Sequence, residues 1–283
     1  MRAQERCNLC GGVRWVVLEE RGDTRVVRCA CGLVFLTPQP PKSILKRAYG
    51  EDYYRPWEDQ GRLRTAIWRR RWQRALALAP WSRKLLDVGC GTGDFLRLAR
   101  NSGWDVAGTE LSLHAATVAA NAGLPVFTGE IWEAGYPSAH FDLVTCWHVL
   151  EHVADPRRFV AEFYRILRPG GYCLLATPNL NDRIFRAAYV LARGRRRFLY
   201  EENEREVHLF FFSTATLERL FASAGFTQIM IGFDRGATAV RSKQLVDGVA
   251  WAWYRLTGRN WGMALELTAR RPFADGPAGS STV

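Results

Sequence analysis

The feature that most constrains this chain is a run of glycines between a short apolar strand and a helix, in KLLDVGCGTGDFLRLARNSG at residues 84–103. The apolar residues before the glycines are typical of a buried strand, and those after them have the spacing of a helix that ends at Gly103. Glycines at such a turn adopt positive φ angles and let the backbone approach a nucleotide-like ligand closely. The sequence therefore predicts an α/β fold with a ligand bound where this strand ends.

The glycine spacing disfavours a nicotinamide-dependent oxidoreductase. A dinucleotide-binding turn reads G-x-G-x-x-G, whereas Gly89, Gly91 and Gly93 read G-x-G-x-G, and Asp87 stands two residues before the first glycine. The next two predicted strands, at 104–110 and 124–129, lead to Glu110 and Glu130. A carboxylate at the first of these strand ends accepts hydrogen bonds from ribose hydroxyls, and Glu130 is placed to meet an adenine amino group.

Four segments in order, LLDVGCGTGDF, AGTELS, FDLVTCWHVLEHVADP and LRPGGYCLLATPN, resemble the class I S-adenosylmethionine-dependent methyltransferases. The resemblance covers residues 84–178 and, more weakly, continues to 270. It implies a Rossmann-like seven-stranded sheet with helices on both faces, and S-adenosyl-L-methionine (SAM) as cofactor. Members of the family usually have Asp where this chain has Glu130. By resemblance, the residues around the cofactor are Asp87, Gly89, Cys90, Gly91, Gly93, Glu110, Leu111, Glu130, Cys146 and Trp147.

The pentad His148-Val-Leu-Glu151-His152 matches H-x-x-E-H, the pattern of inverted zinc metallopeptidases. That chemistry needs both histidines on one helix face, but FDLVTCW just before the pentad is strand-like, which excludes His148 from a helix. The pentad instead follows the fourth predicted strand (141–149), where this fold places a methyl acceptor. The chain therefore does not match a peptidase.

The candidate catalytic residues on this acceptor side are His148, His208 and His152, as acid–base or orienting groups. For His152, a role in stabilising the turn toward Asp155 is the alternative. Ubiquinone-pathway O-methyltransferases share the LEH element, and this resemblance implies a further alternative, a metal site at Glu151 and His152.

The N-terminal segment carries four of the seven cysteines, Cys7, Cys10, Cys29 and Cys31. Paired thiolates on tight turns about 15–20 residues apart are typical of a zinc ribbon. The second pair reads C-x-C where a ribbon usually reads C-x-x-C. We predict a structural zinc ion here, with reduced, partly buried thiols as the alternative, and a hairpin that turns at Gly22-Asp23.

The order of these patterns predicts the domain organisation. Residues 1–41 form the zinc-ribbon-like segment, 42–81 a helical linker, 82–273 the methyltransferase domain with lid insertions at 179–207 and 235–261, and 274–283 a disordered tail. In the linker, Trp68, Trp72, Leu76 and Ala79 are predicted to share a packed face, with arginines on the other. Residues 263–273 are predicted to form the last strand, at the sheet edge.

The net charge of +11 attracts anionic partners. The Arg193–Arg197 cluster fits an anionic membrane surface, a diphosphate-linked acceptor or a solvated face.

We predict O-methylation of a small-molecule, glycan or lipid-linked acceptor; an RNA or protein methyltransferase and a non-catalytic SAM-binding protein are the alternatives. Nucleic acid is disfavoured, since no RNA-binding module is recognisable. No apolar segment of a signal peptide is visible, which predicts a cytoplasmic protein, with peripheral membrane contact as an alternative.

Overall fold

The computed structural model describes residues 6–40, 61–81, 83–201, 206–236, 238 and 240–273, with 61–63 described by backbone alone. The predicted linker helix up to residue 60 and the predicted tail at 274–283 lie outside the described residues. In chain order the strands are β1 (Trp15–Arg21), β2 (Thr24–Cys29), β3 (Val34–Thr37), β4 (Lys84–Val88), β5 (Asp105–Glu110), β6 (Val126–Thr128), β7 (Phe141–Trp147), β8 (Leu167–Pro178), β9 (Phe210–Phe211), β10 (Thr227–Phe233) and β11 (Ala264–Arg270). The helices are α1 (Gly61–Leu78), α2 (Asp94–Asn101), α3 (Leu113–Asn121), α4 (Pro156–Ile166), α5 (Arg183–Arg193), α6 (Thr214–Ser223) and α7 (Arg241–Thr257).

A seven-stranded sheet in the order β10-β11-β8-β7-β4-β5-β6 forms the body of the molecule. The strands from β8 to β6 are parallel, whereas β11 is antiparallel to both of its neighbours. This arrangement confirms the predicted Rossmann-like sheet. Because parallel strands end at the same edge, the residues that follow β4, β5 and β7 meet there.

The prediction that the last strand lies at the sheet edge is wrong. β11 pairs with β8 along its length and with β10 on the other side, and its buried residues point to both faces. β10 is the edge strand, and several of its side chains are exposed. In the interior position, five of the seven β11 residues are buried and both edges of the strand are hydrogen-bonded.

Side chains alternate across the sheet and divide the core into two layers. Leu86 and Val88 join a cluster with Phe159 and Phe163 of α4, whereas Leu85 joins a second cluster with Trp72 of α1. Both faces of the sheet are therefore covered, which explains why Leu85, Leu86 and Val88 of β4 are all buried.

Helix α1 follows the predicted stripe in part. Trp72 and Ala79 are buried, but Leu76 is exposed, and Arg71 is 5% exposed although the arginines were predicted on the solvated face. The buried face continues through Ile67 and Ala75. Arg71 is tolerated there because Asp234, far along the chain, supplies a buried ion-pair partner, which no local pattern reveals.

A second sheet, in the order β1-β2-β3-β9, contains the cysteine segment. β1 and β2 form the predicted hairpin at Gly22-Asp23, with Arg21 opposite Thr24. Its fourth strand, β9, comes from within the predicted methyltransferase domain, and Phe35 pairs with Phe210. The cysteine segment is therefore joined to the larger body by backbone hydrogen bonds.

Helices α5 and α7 belong to the two predicted lid insertions and pack against each other. Between them in the chain, α6 has Ser213 as its N-cap residue, and the Ser213 side chain accepts from the backbone N–H of Thr216 in a capping box. Among the described residues, no helix is both long and apolar enough to cross a membrane.

Candidate active site

A cavity of about 560 Å³ opens at the sheet edge where β4, β5 and β7 end. One side, which we call the cofactor wall, consists of the glycine turn after β4 and residues 109–111 and 129–131. The opposite side, the acceptor wall, consists of residues 148–154, 178–186, 197–199 and 206–211 with the first turn of α7. The cavity thus joins the predicted nucleotide-binding turn to the predicted acceptor residues.

The cofactor wall is built by a short stretch of chain. Gly89 and Gly91 have φ angles of 73° and 55°, and a Cβ at Gly89 would lie 2.3 Å from Cγ2 of Val149. The buried Glu110 carboxylate accepts hydrogen bonds from the backbone N–H groups of Gly91 at 2.9 Å and Ser112 at 2.8 Å. These bonds fix the carboxylate against the glycine turn, where it faces the cavity.

Most of the residues predicted around the cofactor reach the cavity, and three do not. Those that line it are Gly89, Cys90, Gly91, Glu110, Leu111, Glu130 and Trp147. Cys146 is fully buried in the core, because neighbouring strand residues point to opposite faces and Trp147 takes the cavity side. Gly93 is the left-handed N-cap of α2, where a Cβ would lie 2.3 Å from Leu124, so its requirement for glycine comes from packing.

Asp87, the third of these residues, lies beneath the glycine turn with 1% of its surface exposed. It accepts a hydrogen bond of 2.6 Å from the Thr145 hydroxyl. Burial raises the pKa of this carboxyl to about 7. Asp87 therefore links β4 to β7 inside the sheet, two residues before the glycine turn.

Arg71 of α1 enters the cavity wall, and the sequence did not single it out. Its guanidinium lies 4.4 Å from the Trp147 ring centroid and 5.2 Å from that of Trp68, and Nη2 donates to Asp234 at 2.9 Å. Arg71 Nε, Trp68 Nε1 and Trp147 Nε1 are buried, and the described part of the chain offers them no acceptor. Buried donors normally have partners, so this cluster is suited to an anionic ligand group.

His148 stands at the end of β7 with a φ of 58°, which confirms that it lies outside a helix. Its Nδ1 is 3.6 Å from Glu151 Oε1, and its Nε2 is 3.5 Å from Asp234 Oδ2. Burial opposes the protonated form, but the two carboxylates outweigh it and raise the pKa of His148 to about 9. An imidazole that is already protonated accepts no proton at neutral pH, so the geometry argues against the predicted role of His148 as a base.

Glu151, His152 and His208 form a second polar group on the acceptor wall. Their nearest ligand atoms all lie within 4.8 Å of one another. Glu151 accepts from Thr177 through Oε2 at 2.9 Å, while Oε1 is buried and has no hydrogen-bond donor within the described ranges. Burial opposes ionisation of Glu151, but His148 and then His152 outweigh it and lower its pKa to about 2, so the carboxylate is charged.

His152 and His208 lie beside this carboxylate. His152 Nδ1 donates to the backbone oxygen of Val207 at 2.9 Å, and its Nε2 lies 3.9 Å from Glu151 Oε1. Burial, followed by the nearby His152, lowers the pKa of His208 to about 3, so the His208 ring is neutral. Two imidazole nitrogens and an ionised carboxylate are a ligand set for a divalent cation.

The four N-terminal cysteines come together as the sequence predicted. Cys7 Sγ lies 3.6 Å from Cys31 Sγ, Cys10 Sγ lies 3.6 Å from Cys29 Sγ, and all four sulfur atoms fall within 4.8 Å of one another. The short C-x-C pair reaches the site because the turn between β2 and β3 is tight, with Gly32 at a φ of 91° and its N–H bonded to Cys29 O.

Comparison with known proteins adds an independent finding. A family model described as a methyltransferase domain matches residues 60–230, which is more than half of the chain. Two curated relatives are ubiquinone biosynthesis O-methyltransferases. The one from Psychrobacter arcticus is 35% identical over 52% of this chain and 60% of its own length, and the one from Thiobacillus denitrificans is 34% identical over 50% and 64%. The chain thus spans less than two thirds of either relative.

Solved structures share the fold. The crystal structure of a SAM-dependent methyltransferase from Thermotoga maritima superimposes with a TM-score of 0.56 and 20% identity, and covers 82% of this chain and 100% of that one. At this identity the likeness concerns the fold alone. The chain therefore shares its overall fold with that SAM-dependent methyltransferase.

Proposed function

The chain belongs to the methyltransferase domain family, and from this membership we propose that it transfers the methyl group of SAM to an oxygen atom of a small-molecule acceptor. The observation that carries the proposal is the cavity, which places the glycine turn and Glu110 on one wall and a histidine–carboxylate group on the other. The names of the two O-methyltransferase relatives support oxygen as the methylated atom.

The cofactor wall fits SAM in three respects. A side chain at Gly89 would clash with Val149, so glycine leaves room for close approach of a ligand. Glu110 would hold the ribose hydroxyls beside Leu111, and Glu130 would meet the adenine edge. Arg71, with the ring N–H groups of Trp68 and Trp147, would bind the carboxylate of the methionine moiety, which supplies the acceptor that these buried donors lack.

When bound, SAM supplies a sulfonium-activated methyl group that an oxygen nucleophile would attack in line, with the thioether S-adenosylhomocysteine as the leaving group. The residues of this chain contribute position and the exclusion of water. Trp147 lines the cavity, and its ring packs against Phe95 and Trp68. The protonated His148 ring lies between the carboxylates of Glu151 and Asp234, and its charge holds the Glu151 carboxylate in place.

On the acceptor wall, Glu151, His152 and His208 would hold a divalent cation. Oε1 of the buried, ionised Glu151, which has no hydrogen-bond donor among the described residues, and the nearby Nε2 of His152 fit such an ion. The chemistry that a divalent cation supplies is a lowered pKa for a coordinated hydroxyl. Without a bound cation, the neutral His208 imidazole on the acceptor wall would be the base, and its low pKa makes it a weak one.

The four cysteines would hold a structural zinc ion, since four clustered sulfur atoms complete a tetrahedral site. A site closed by four thiolates has no open position for substrate. Its contribution is therefore to the fold.

Contact with an anionic membrane is supported by the outer face of the lid helices. Leu245, Val249 and Leu256 are exposed on one face of α7, and Leu191 of α5 is 88% exposed. Residues 183–200 contain six arginines and no acidic residue. A lipid-linked or amphiphilic acceptor would enter the cavity between these helices. Sedimentation with phosphatidylglycerol vesicles, and its absence with phosphatidylcholine, is the expected result; equal sedimentation with both, or with neither, contradicts the contact.

The test of the proposed reaction has two arms. Calorimetry should show one SAM molecule bound per chain. Transfer from methyl-labelled SAM to a panel of catechols, phenols, aliphatic alcohols and amines should label the oxygen acceptors, more strongly with Mg²⁺ or Zn²⁺ added. No SAM binding contradicts the methyltransferase proposal, and labelling confined to the amines contradicts O-methylation.

A further inference from the structure

The cysteine segment contacts the acceptor wall at three places. At the first, β3 pairs with β9, and Leu36 N donates to Leu209 O at 2.9 Å. Leu209 in turn donates its N–H to Glu151 O at 2.8 Å, and it directly follows His208. The strand register of the cysteine segment is therefore linked to two of the three groups that would hold the acceptor-side cation.

The second contact comes from within the first cysteine pair. Asn8, between Cys7 and Cys10, donates through Nδ2 to the backbone oxygen of Ala154 at 3.4 Å. Ala154 lines the cavity two residues after His152. A change in the Cys7–Cys10 turn would therefore displace a donor that touches the acceptor wall.

The third contact comes from β1. Glu19 Oε2 accepts from the backbone N–H of Leu199 at 2.8 Å, and the Arg21 guanidinium lies 3.6 Å from the ring centroid of Phe198. Phe198 and Leu199 both line the cavity. This contact fixes the end of the first lid insertion.

The cofactor wall is held by different partners. Glu110 is fixed by Gly91 and Ser112, and β4 and β5 are fixed by their parallel pairing in the large sheet. Metal ligation would fix the Cys29–Cys31 turn, where β2 ends and β3 begins, to the Cys7–Cys10 turn that contains Asn8. The effect of the metal would therefore pass to β9 and Ala154 rather than to the glycine turn.

We propose that the four-cysteine segment positions the acceptor wall, so that zinc loading of the cysteines determines the order of residues 149–154 and 206–212 and leaves SAM binding intact. This inference rests on the proposed function, which assigns one wall to the cofactor and the other to the methyl acceptor. The coupling between the metal site and the acceptor wall can be measured without any acceptor.

The experiment compares amide hydrogen exchange in the zinc-loaded full chain with that in Cys10→Ser, a variant at the one exposed cysteine of the four. We expect exchange to rise about tenfold or more in 149–154 and 206–212 and to stay unchanged in 84–112. The SAM affinity of the variant should remain within about twofold of wild type, a change of less than about 0.5 kcal/mol. Adding zinc to chelated wild type should restore the slow exchange.

A matched pair of variants tests the coupling with all four cysteines in place. Glu19→Ala should speed exchange around Leu199 without loss of zinc. Glu20→Ala is the control and should leave this exchange unchanged, because the exposed Glu20 carboxylate pairs with Arg25. Unchanged exchange in both Cys10→Ser and Glu19→Ala overturns the proposal. An equal rise in amide exchange at residues 84–112, which signals general unfolding, also overturns it. A wild-type chain that binds no zinc overturns it as well. Failure of the wild type to bind SAM overturns the proposed function instead, because the exchange contrast does not depend on SAM.

Discussion

The two walls of the cavity are built in different ways. The cofactor wall comes largely from residues 88–111, where one strand, one turn and the next strand supply its glycines and Glu110. The acceptor wall collects residues from 148 to 243, together with supports from the cysteine segment. The comparison teaches that the glycine turn and Glu110 are set mostly by local chain, whereas the acceptor wall depends on contacts between distant segments.

Arg71 is the strongest test of this contrast, because it lines the cavity from α1 and pairs with Asp234, which is 163 residues away in the sequence. Arg71→Met should lower the free energy of unfolding by about 3–5 kcal/mol, since the buried Asp234 loses its ion-pair partner. Urea denaturation measures the loss. Arg70→Met is the control, because Arg70 is exposed and its side chain donates to the backbone oxygen of Arg235. Equal losses in the two variants would show that the buried pair has no special role.

Glu110→Ala should damage the cofactor wall alone. We expect SAM to bind about 100-fold more weakly, or about 3 kcal/mol, because charge-assisted hydrogen bonds to the ribose and to the glycine turn are lost together. Calorimetry measures the affinity, and Asp105→Ala, at the exposed start of the same strand, is the control. Retained affinity in Glu110→Ala would remove the ribose assignment.

Asp247 offers a smaller, pH-dependent test on the lid side. Its Oδ1 is buried without a hydrogen-bond donor in the described ranges, and burial, with Asp234 nearby, raises its pKa from 3.8 to about 6. The folded state therefore binds this proton more tightly than the unfolded state, so the stabilising contribution is complete below pH 4 and is lost as the pH rises through 6.

Asp247→Asn should remove this pH dependence. At pH 8 the variant should be more stable than wild type by on the order of 1–3 kcal/mol, and the two should converge near pH 4. Denaturation midpoints between pH 4 and 8 measure the difference. A constant offset across this range would mean that ionisation of Asp247 is not its cause.

The sequence by itself determined the features that depend on neighbouring residues. The spacing of Gly89 and Gly91, the acid at the end of β5, the hairpin at Gly22-Asp23 and the cap at Ser213 all follow from local backbone requirements. The two cysteine pairs also indicated a common site, because thiolates at such spacing have few other uses. Even here, the sequence did not separate Gly93 and Cys146, which pack in the interior, from residues that face the cavity.

Only the tertiary structure decided the protonation and the partners of the acceptor side. His148 looked like a base in the sequence, but Asp234, 86 residues further along (234 minus 148), and Glu151 hold it protonated. The burial of Arg71, the interior position of β11 and the pairing of β9 with β3 are likewise contacts between distant segments. Local periodicity indicates which side chains are buried. The pKa values and the strand pairing depend on charged groups and strand edges that are distant in the sequence and meet only in the folded chain.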